Sequence, residues 1–366
     1  MTDLEAAPDA GRWAAPGRVN LIGEHLDYNG GPCLPIGIDR QTVVRARRRN
    51  DDRIVITSEG DTVGFPVSTK PGDVTGWAAY AAGVVWALTE AGHQVSGLDL
   101  EVTSDVPRGA GLSSSAALEC SVGVCIRELD GLDIDDIELA VLAQRAENDY
   151  VGMPCGILDQ ASSMCGREGQ ALLLDPLGPS VELVAAEWAR SGLTLVVIDT
   201  RAEHELTDGE YAARREQSEE AARLLGTEWL ASSSLDAIQA LGDEVLRRRA
   251  KHVVTETARV HDAVAAMAAD DWTTVGRLFT ASHISLRDDY EVSAPELDVA
   301  VEAALGAGAL GSRMTGGGFG GSAIALVPDA AVPDVERACA EAFERHGFPA
   351  PQCFAVDAAD GARRLD

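Results

Sequence analysis

The stretch Arg18-Val-Asn-Leu-Ile-Gly-Glu-His-Leu-Asp-Tyr-Asn-Gly30 constrains this chain more than any other. It places an arginine, two carboxylates and a histidine within ten positions, among apolar residues and glycines. Val19, Leu21 and Ile22, just ahead of Glu24, His25 and Asp27, read as a half-buried strand whose end delivers acceptors to a site. A merely charged surface turn would not carry that apolar pattern. Carboxylates at such an edge accept hydrogen bonds from hydroxyls, and Arg18 offers a permanent positive fork suited to phosphate. The combination points to phosphoryl transfer onto a sugar.

With 366 residues and 46% hydrophobic content, the chain can build two cores. Its formal charge of −29 argues against nucleic acid or an anionic membrane as partner, since the summed field repels both. Nucleotide phosphates would need Mg²⁺, local arginines and backbone N–H groups to enter such a field. The seven cysteines are odd in number and form no CxxC pair, so reduced thiols are expected and a zinc site is not. Met1 to Arg12 lacks a basic start followed by an apolar run. Trp77 to Ala91, capped by Thr75 and stopped at Gly92, is shorter than the roughly 20 residues that span a membrane and reads as a core helix. A cytoplasmic protein follows, and nothing in the sequence requires more than a monomer.

Strand patterns at Thr42–Arg47, Arg53–Thr57 and Leu98–Val102 alternate with long helical ones, so the fold class is α/β or α+β. Asp133–Tyr150 is a helix with Asp133 and Asp135 as cap candidates and Glu147 in its last turns. Asp208–Leu225 is another, with Asp208 as N-cap and Gly226 as stop. A crossover near the strand Leu193–Asp199 divides the chain into domains 1–185 and 186–366.

Pro107-Arg-Gly-Ala-Gly-Leu-Ser-Ser-Ser-Ala-Ala-Leu-Glu119 follows a strand and runs into a helix. The bland reading is a serine-capped helix. The sharper one is a phosphate cradle formed by Gly109, Ala110, Gly111, Leu112, Ser113, Ser114 and Ser115, in which glycines let backbone N–H groups approach an anion. No lysine follows the glycines, which disfavours a Walker-type loop. Gly311 to Ser322 contains a formal G-x-G-x-x-G, but a strand pattern follows it rather than a helix, which rejects a dinucleotide loop. In Glu147–Gln160, Asp159 is either a helix cap or a catalytic carboxylate.

Together these motifs resemble the GHMP small-molecule kinases, and the first resembles the galactokinase signature within that superfamily. The resemblance extends through Cys155–Gln160, His204-Glu-Leu, Gly209-Glu-Tyr211, Ser282–Ser293 and the Arg313–Gly321 loop, nearly the whole chain from Ala15 to Val327. It implies an α+β fold with an N-terminal ribosomal-protein-S5-domain-2-like domain and a C-terminal ferredoxin-like domain, with substrates in the cleft. It implies transfer of the ATP γ-phosphoryl group to the anomeric hydroxyl of galactose. Carried over, Asp159 is the base or positioning carboxylate, with Arg18 orienting it and stabilising the phosphoryl group. Glu24, His25, Leu26, Asp27, Gly156, Asp159 and Tyr211 surround the sugar, with Leu26 turned away. Ser58 joins the glycine loop at the nucleotide, and Ser115 and Glu147 hold Mg²⁺. Leu26 stands where the family usually has threonine, and Asp199-Thr-Arg201 replaces an asparagine-containing run, which bears on sugar choice. A related anomeric kinase, a non-catalytic sugar sensor and a nucleotide-dependent oxidoreductase are the competing readings.

Overall fold

The computed structural model describes residues 9–202 and 207–366. His204, Glu205 and Leu206 of the family-like run lie outside the described residues. The first half comprises strands β1 (Ala10–Asn20), β2 (Pro35–Arg48), β3 (Arg53–Ser58) and β4 (Asp61–Pro66), helix α1 (Ala78–Glu90), β5 (Leu98–Ser104), and helices α2 (Ser114–Asp130), α3 (Asp136–Arg145) and α4 (Leu158–Cys165). A hairpin of β6 (Gln170–Asp175) and β7 (Ser180–Ala185) leads to β8 (Leu193–Asp199). Helices α5 (Thr207–Leu225), α6 (Glu244–Ala268), α7 (Trp272–Ser285) and α8 (Pro295–Gly306) follow. The chain ends with β9 (Gly311–Thr315), β10 (Ser322–Pro328), α9 (Val332–His346), β11 (Gln352–Val356) and β12 (Arg363–Arg364).

The first sheet has the order β12-β1-β2-β5-β3-β4, with β3 and β5 its only parallel neighbours among the described residues. The second has the order β11-β8-β10-β9. Counted along the chain, that is fourth-first-third-second, the ferredoxin-like arrangement of two strand-helix-strand units. The fold is therefore α+β in two lobes, as the resemblance implies. The chain's end returns to the first lobe. Trp13 pairs with Arg364, and the Gly361 N–H donates to the Gly166 carbonyl at 2.8 Å. Buried apolar side chains from both lobes, such as Trp13 and Ile36 in the first and Phe279 and Val335 in the second, join into one connected cluster.

Several helix boundaries follow local chemistry. Asp135 caps α3 in a capping box with Glu138, as its position implies. Helix α3 then continues as a π-helical turn, Ala146–Val151, which carries Glu147 and ends at left-handed Gly152. Helix α1 departs from expectation. It starts at Ala78 without a side-chain cap, because Trp77 is already helical and its indole N–H is held by Asp61 at 2.8 Å, so Thr75 caps nothing. Helix α5 is described from Thr207 onward, so Asp208, expected to cap it, lies within it.

Helix α7 lies against β9 at a point where both residues are glycine. A Cβ on Gly311 would sit 1.9 Å from the Gly276 carbonyl oxygen, and one on Gly276 would sit 2.4 Å from the Leu310 carbonyl oxygen. Backbone on both sides leaves no rotamer that relieves the clash. Gly311→Ala is therefore expected to destabilise the protein by about 1–3 kcal/mol or more through overpacking, read as a lower urea midpoint. An unchanged midpoint would contradict this packing.

Candidate active site

Strand β1 ends at Asn20, earlier than the apolar pattern through Ile22 implies, and the chain then folds into tight turns through Gly31. His25 adopts a left-handed conformation with φ of 63°, unusual for a residue with a side chain. The turns aim Glu24, His25 and Asp27 into a cavity of about 260 Å³, while Leu26 is fully buried in the core and does not line it. Leu26 thus drops out of the expected sugar contacts. It faces away because of the turn, not through strand alternation. Asp199, Thr200 and Arg201 do not line the cavity either. There the Thr200 hydroxyl donates to the Gly321 carbonyl at 2.6 Å and holds the base of the β9–β10 hairpin.

Arg18 and Asp159 form the cavity's polar floor. The Arg18 Nε donates to Asp159 Oδ1 at 2.8 Å, and its Nη2 lies 2.8 Å from the same oxygen. Arg18 Nη1 donates to the Gly111 carbonyl at 2.5 Å, and its backbone N–H to the Leu112 carbonyl at 3.0 Å. Asp159 sits in the first turn of α4 but caps nothing; the N-cap position is Ile157. Its other oxygen accepts a 2.5 Å hydrogen bond from the Ser113 hydroxyl.

That last bond reshapes the glycine loop. Ser113 is the N-cap of α2, in a left-handed conformation, and its hydroxyl serves Asp159 instead of the helix. The first N–H groups of α2 are thus left without a side-chain cap, an arrangement suited to an anion. Gly109 and Gly111 also have positive φ. Ala110 and Leu112 are buried anchors, the Ala110 carbonyl accepting from Ser322 at 2.7 Å. Ser114 and Ser115 open α2. Ser58, nearly buried at the end of β3, is followed by Glu59, whose carboxylate meets Arg108 of the loop at 3.2 Å.

Glu24 faces the cavity but is already engaged. It forms a buried ion pair with Arg313, and its Oε1 accepts the Gly316 N–H at 3.1 Å. A carboxylate has about four lone-pair sites, so acceptor capacity is left for a ligand. His25 is held neutral, its pKa lowered to about 3 by burial and then by neighbouring His252. Tyr211 lines the cavity from α5, its ring centroid 5.6 Å from that of His25. Asn20, not singled out from the sequence, also lines the cavity, and both its amide atoms are buried without a partner. Its only signal was its place at the end of the first strand. Phe319 and Met153 complete the wall.

Glu147 lies beside Ser115 and Gln160, with Gln160 Nε2 donating to it at 2.6 Å. Burial, then the charge of Asp159, raises its pKa to about 7. Among the described residues no group of three or more His, Cys, Asp or Glu could hold a metal ion by itself.

Asp27 packs against Gly156 so tightly that a Cβ there would lie 1.7 Å from its Oδ2. Burial, then repulsion from Asp159, raises the Asp27 pKa from 3.8 to about 6, against the opposing hydrogen bond from the Leu158 backbone. A carboxylate whose folded pKa is raised penalises the native state once it ionises. The penalty is absent below about pH 4, grows between pH 4 and 6 and is complete above. Asp27→Asn should therefore stabilise the protein at pH 8 by roughly 1–3 kcal/mol, and this gain should vanish near pH 4. Urea midpoints across pH test it; a pH-independent difference would refute the linkage.

The sequence matches family models for the GHMP kinase N-terminal domain over residues 79–167, the galactokinase galactose-binding signature over 4–48, and the GHMP kinase C-terminal domain over 263–345. It is 46% identical to the galactokinase of Streptomyces coelicolor over 373 residues, covering 99% of this chain and 96% of that protein. It is also 46% identical to the galactokinase of Mycobacterium tuberculosis over 355 residues, 96% of this chain and 98% of that one. The crystal structure of Lactococcus lactis galactokinase complexed with galactose superposes with a TM-score of 0.92 at 36% identity, covering 97% of this chain and 95% of that chain. Methanococcus jannaschii mevalonate kinase shares the fold, with a TM-score of 0.67 at 17% identity over 95% of this chain and 98% of that one. The chain belongs to the galactokinase family of the GHMP kinases.

Proposed function

We propose that this enzyme transfers the γ-phosphoryl group of ATP to the anomeric hydroxyl of D-galactose, and that Asp159 and Arg18 carry the chemistry. The observation that carries this reading is the Arg18–Asp159–Ser113 arrangement, which joins the cavity floor to the uncapped start of α2. The cavity is smaller than the about 300–1,000 Å³ typical of drug-sized sites, and several acceptors among its lining residues suit one small polyol. Asp27, Glu24, His25, Asn20 and Tyr211 surround that space, and the sugar's reacting hydroxyl would meet Asp159.

A sugar hydroxyl is a weak nucleophile, and phosphoryl transfer depends mainly on in-line positioning and charge neutralisation. Asp159 accepts the hydroxyl hydrogen bond and takes its proton. Arg18 keeps that carboxylate in place and presents its positive charge where the phosphoryl oxygens arrive. The Gly109–Ser115 loop offers backbone N–H groups to the triphosphate, with Ser58 at its border. Mg²⁺ takes few protein ligands and shares its shell with phosphates, so the Ser115 hydroxyl and Glu147 carboxylate fit as its anchors. Glu147 is also where a cation would relieve the burial and like charge that disfavour ionisation. Bound there, the ion would neutralise phosphate charge during transfer. Residues 1–185 supply the loop and base in this reading, and 186–366 supply Tyr211 and the glycine hairpin.

Asp159→Asn keeps an acceptor for Arg18 but removes the base, and should lower kcat by about 10²–10⁴ while galactose binding persists by calorimetry. Near-normal turnover would exclude Asp159 as base. Gly156→Ala is expected to displace Asp27 and raise the galactose KM, with the KM for ATP little changed. ADP release measured with galactose, N-acetylgalactosamine, arabinose and glucose tests the substrate, and preference for any sugar but galactose would overturn it.

A further inference from the structure

Behind the cavity wall, a buried hydrogen-bond chain runs from His25 into the second lobe. His25 Nδ1 lies 2.8 Å from the Tyr28 hydroxyl, which lies 3.0 Å from the Tyr290 hydroxyl. Tyr290 is fully buried and its ring lies against that of His25, with centroids 4.8 Å apart, and against His252 on the other side at 4.6 Å. Asn29 Nδ2 donates to the His25 carbonyl at 2.7 Å and reaches the Tyr290 hydroxyl at 3.4 Å. Tyr290 closes a π-helical turn, Leu286–Tyr290, that continues α7 and ends at left-handed Glu291. Arg214 fixes this turn by donating to the Tyr290 carbonyl at 2.8 Å and the Glu291 carbonyl at 2.8 Å. The other imidazole nitrogen of His25, Nε2, is buried on the cavity side and forms no well-aligned hydrogen bond, although the cavity-lining Gly317 backbone acts on the ring.

We propose that Tyr28 and Tyr290 are positioning residues that hold His25 in one tautomer and one ring orientation, so that its Nε2 can select a single galactose hydroxyl. A neutral imidazole has one N–H and one lone pair, and which nitrogen carries the hydrogen is set by the partner of the other. Here the Asn29 amide donates to the Tyr290 hydroxyl, so the chain runs on with Tyr290 donating to Tyr28 and Tyr28 to Nδ1, and the ring hydrogen sits on Nε2. The ring is pinned between aromatic faces, so it cannot turn away from the cavity. A rigid polar group in a buried site rejects a substrate that lacks the matching hydroxyl, because the group is then left unpaired. The proposal rests on the reading of His25 as a sugar contact.

The test measures kcat/KM of the full chain for galactose and its 2-, 3-, 4- and 6-deoxy analogues, together with imidazole ¹⁵N shifts. His25→Asn, which tolerates the left-handed backbone, identifies the hydroxyl that His25 holds as the one whose removal ceases to matter. Tyr28→Phe and Tyr290→Phe remove one oxygen each and keep the rings. Each should raise the galactose KM by about 3- to 10-fold and erase most of the penalty for that one analogue. The other three penalties and kcat should stay close to wild type. The wild-type His25 shifts should show one tautomer, and those of Tyr28→Phe a mixture. An even loss across all analogues, unchanged penalties, or mixed tautomers in the wild type would overturn the proposal. If His25→Asn retains all four penalties, the sugar-contact reading fails instead.

Discussion

Everything at this site converges on the Arg18 guanidinium. It is nearly buried, and its donors reach a carboxylate on α4 and a carbonyl of the glycine loop, while its own backbone N–H holds the next carbonyl of that loop. A buried guanidinium is tolerated only when its charge is paired and its N–H groups are satisfied. The same contacts that meet this requirement set the position of Asp159 relative to the start of α2. Stability and catalytic geometry are one constraint here. The Ser113 hydroxyl completes the arrangement by abandoning its usual capping role, so the helix terminus is left for a ligand's negative charge.

The second lobe contributes a clasp. Arg313 of β9 donates to the carbonyls of Asn20 at 3.1 Å and Leu21 at 2.9 Å and pairs with Glu24. Asn20 N–H donates to the Thr315 hydroxyl at 3.1 Å. At the other end of the hairpin, Ser322 bonds the glycine loop. From α6, buried Glu256 accepts the Gly23 N–H at 3.0 Å and the Ser282 hydroxyl at 2.5 Å, and it is balanced by Arg259 at 2.6 Å. Burial alone would raise the Glu256 pKa, but Arg259, His252 and Arg313 lower it to about 2, so it stays ionised. The turns that carry the first motif are thus fixed from outside. Their own sequence, with a left-handed histidine at its centre, does not supply that rigidity.

This separates what could be read from the sequence from what could not. Local chemistry was legible: a cap at Asp135, one of two candidates, the stop at Gly226, the strand Leu193–Asp199, and a glycine motif that joins two strands rather than opening a helix. The residues facing the cavity were also largely legible, because the first motif is contiguous and its carboxylates are dense. The supporting shell was not. Arg313 meets Glu24 across 289 positions and Thr315 meets Asn20 across 295, separations at which no periodicity carries information. Tyr290 stood only inside the family-like run Ser282–Ser293, with no role of its own, because its place at the end of a π-helical turn leaves no local signal. Thr75 failed as a cap for a related reason: a tertiary contact to the Trp77 indole decides where the helix begins.

The electrostatics of the site run with the chain's charge rather than against it. Asp27, Asp159 and Glu147 crowd one region of a protein that already carries −29, and burial, then repulsion from Asp159, raises the pKa of Asp27 and of Glu147. A neutral polyol is indifferent to this field and gains from the acceptors. A bare triphosphate would be repelled by this field, whereas one that arrives with a cation would not. On the proposed reading, this acidic interior suits an uncharged sugar and a nucleotide whose charge is already compensated. Arginines placed at single points, Arg18 at the base and Arg313 behind Glu24, keep the carboxylates ordered without neutralising the cavity as a whole.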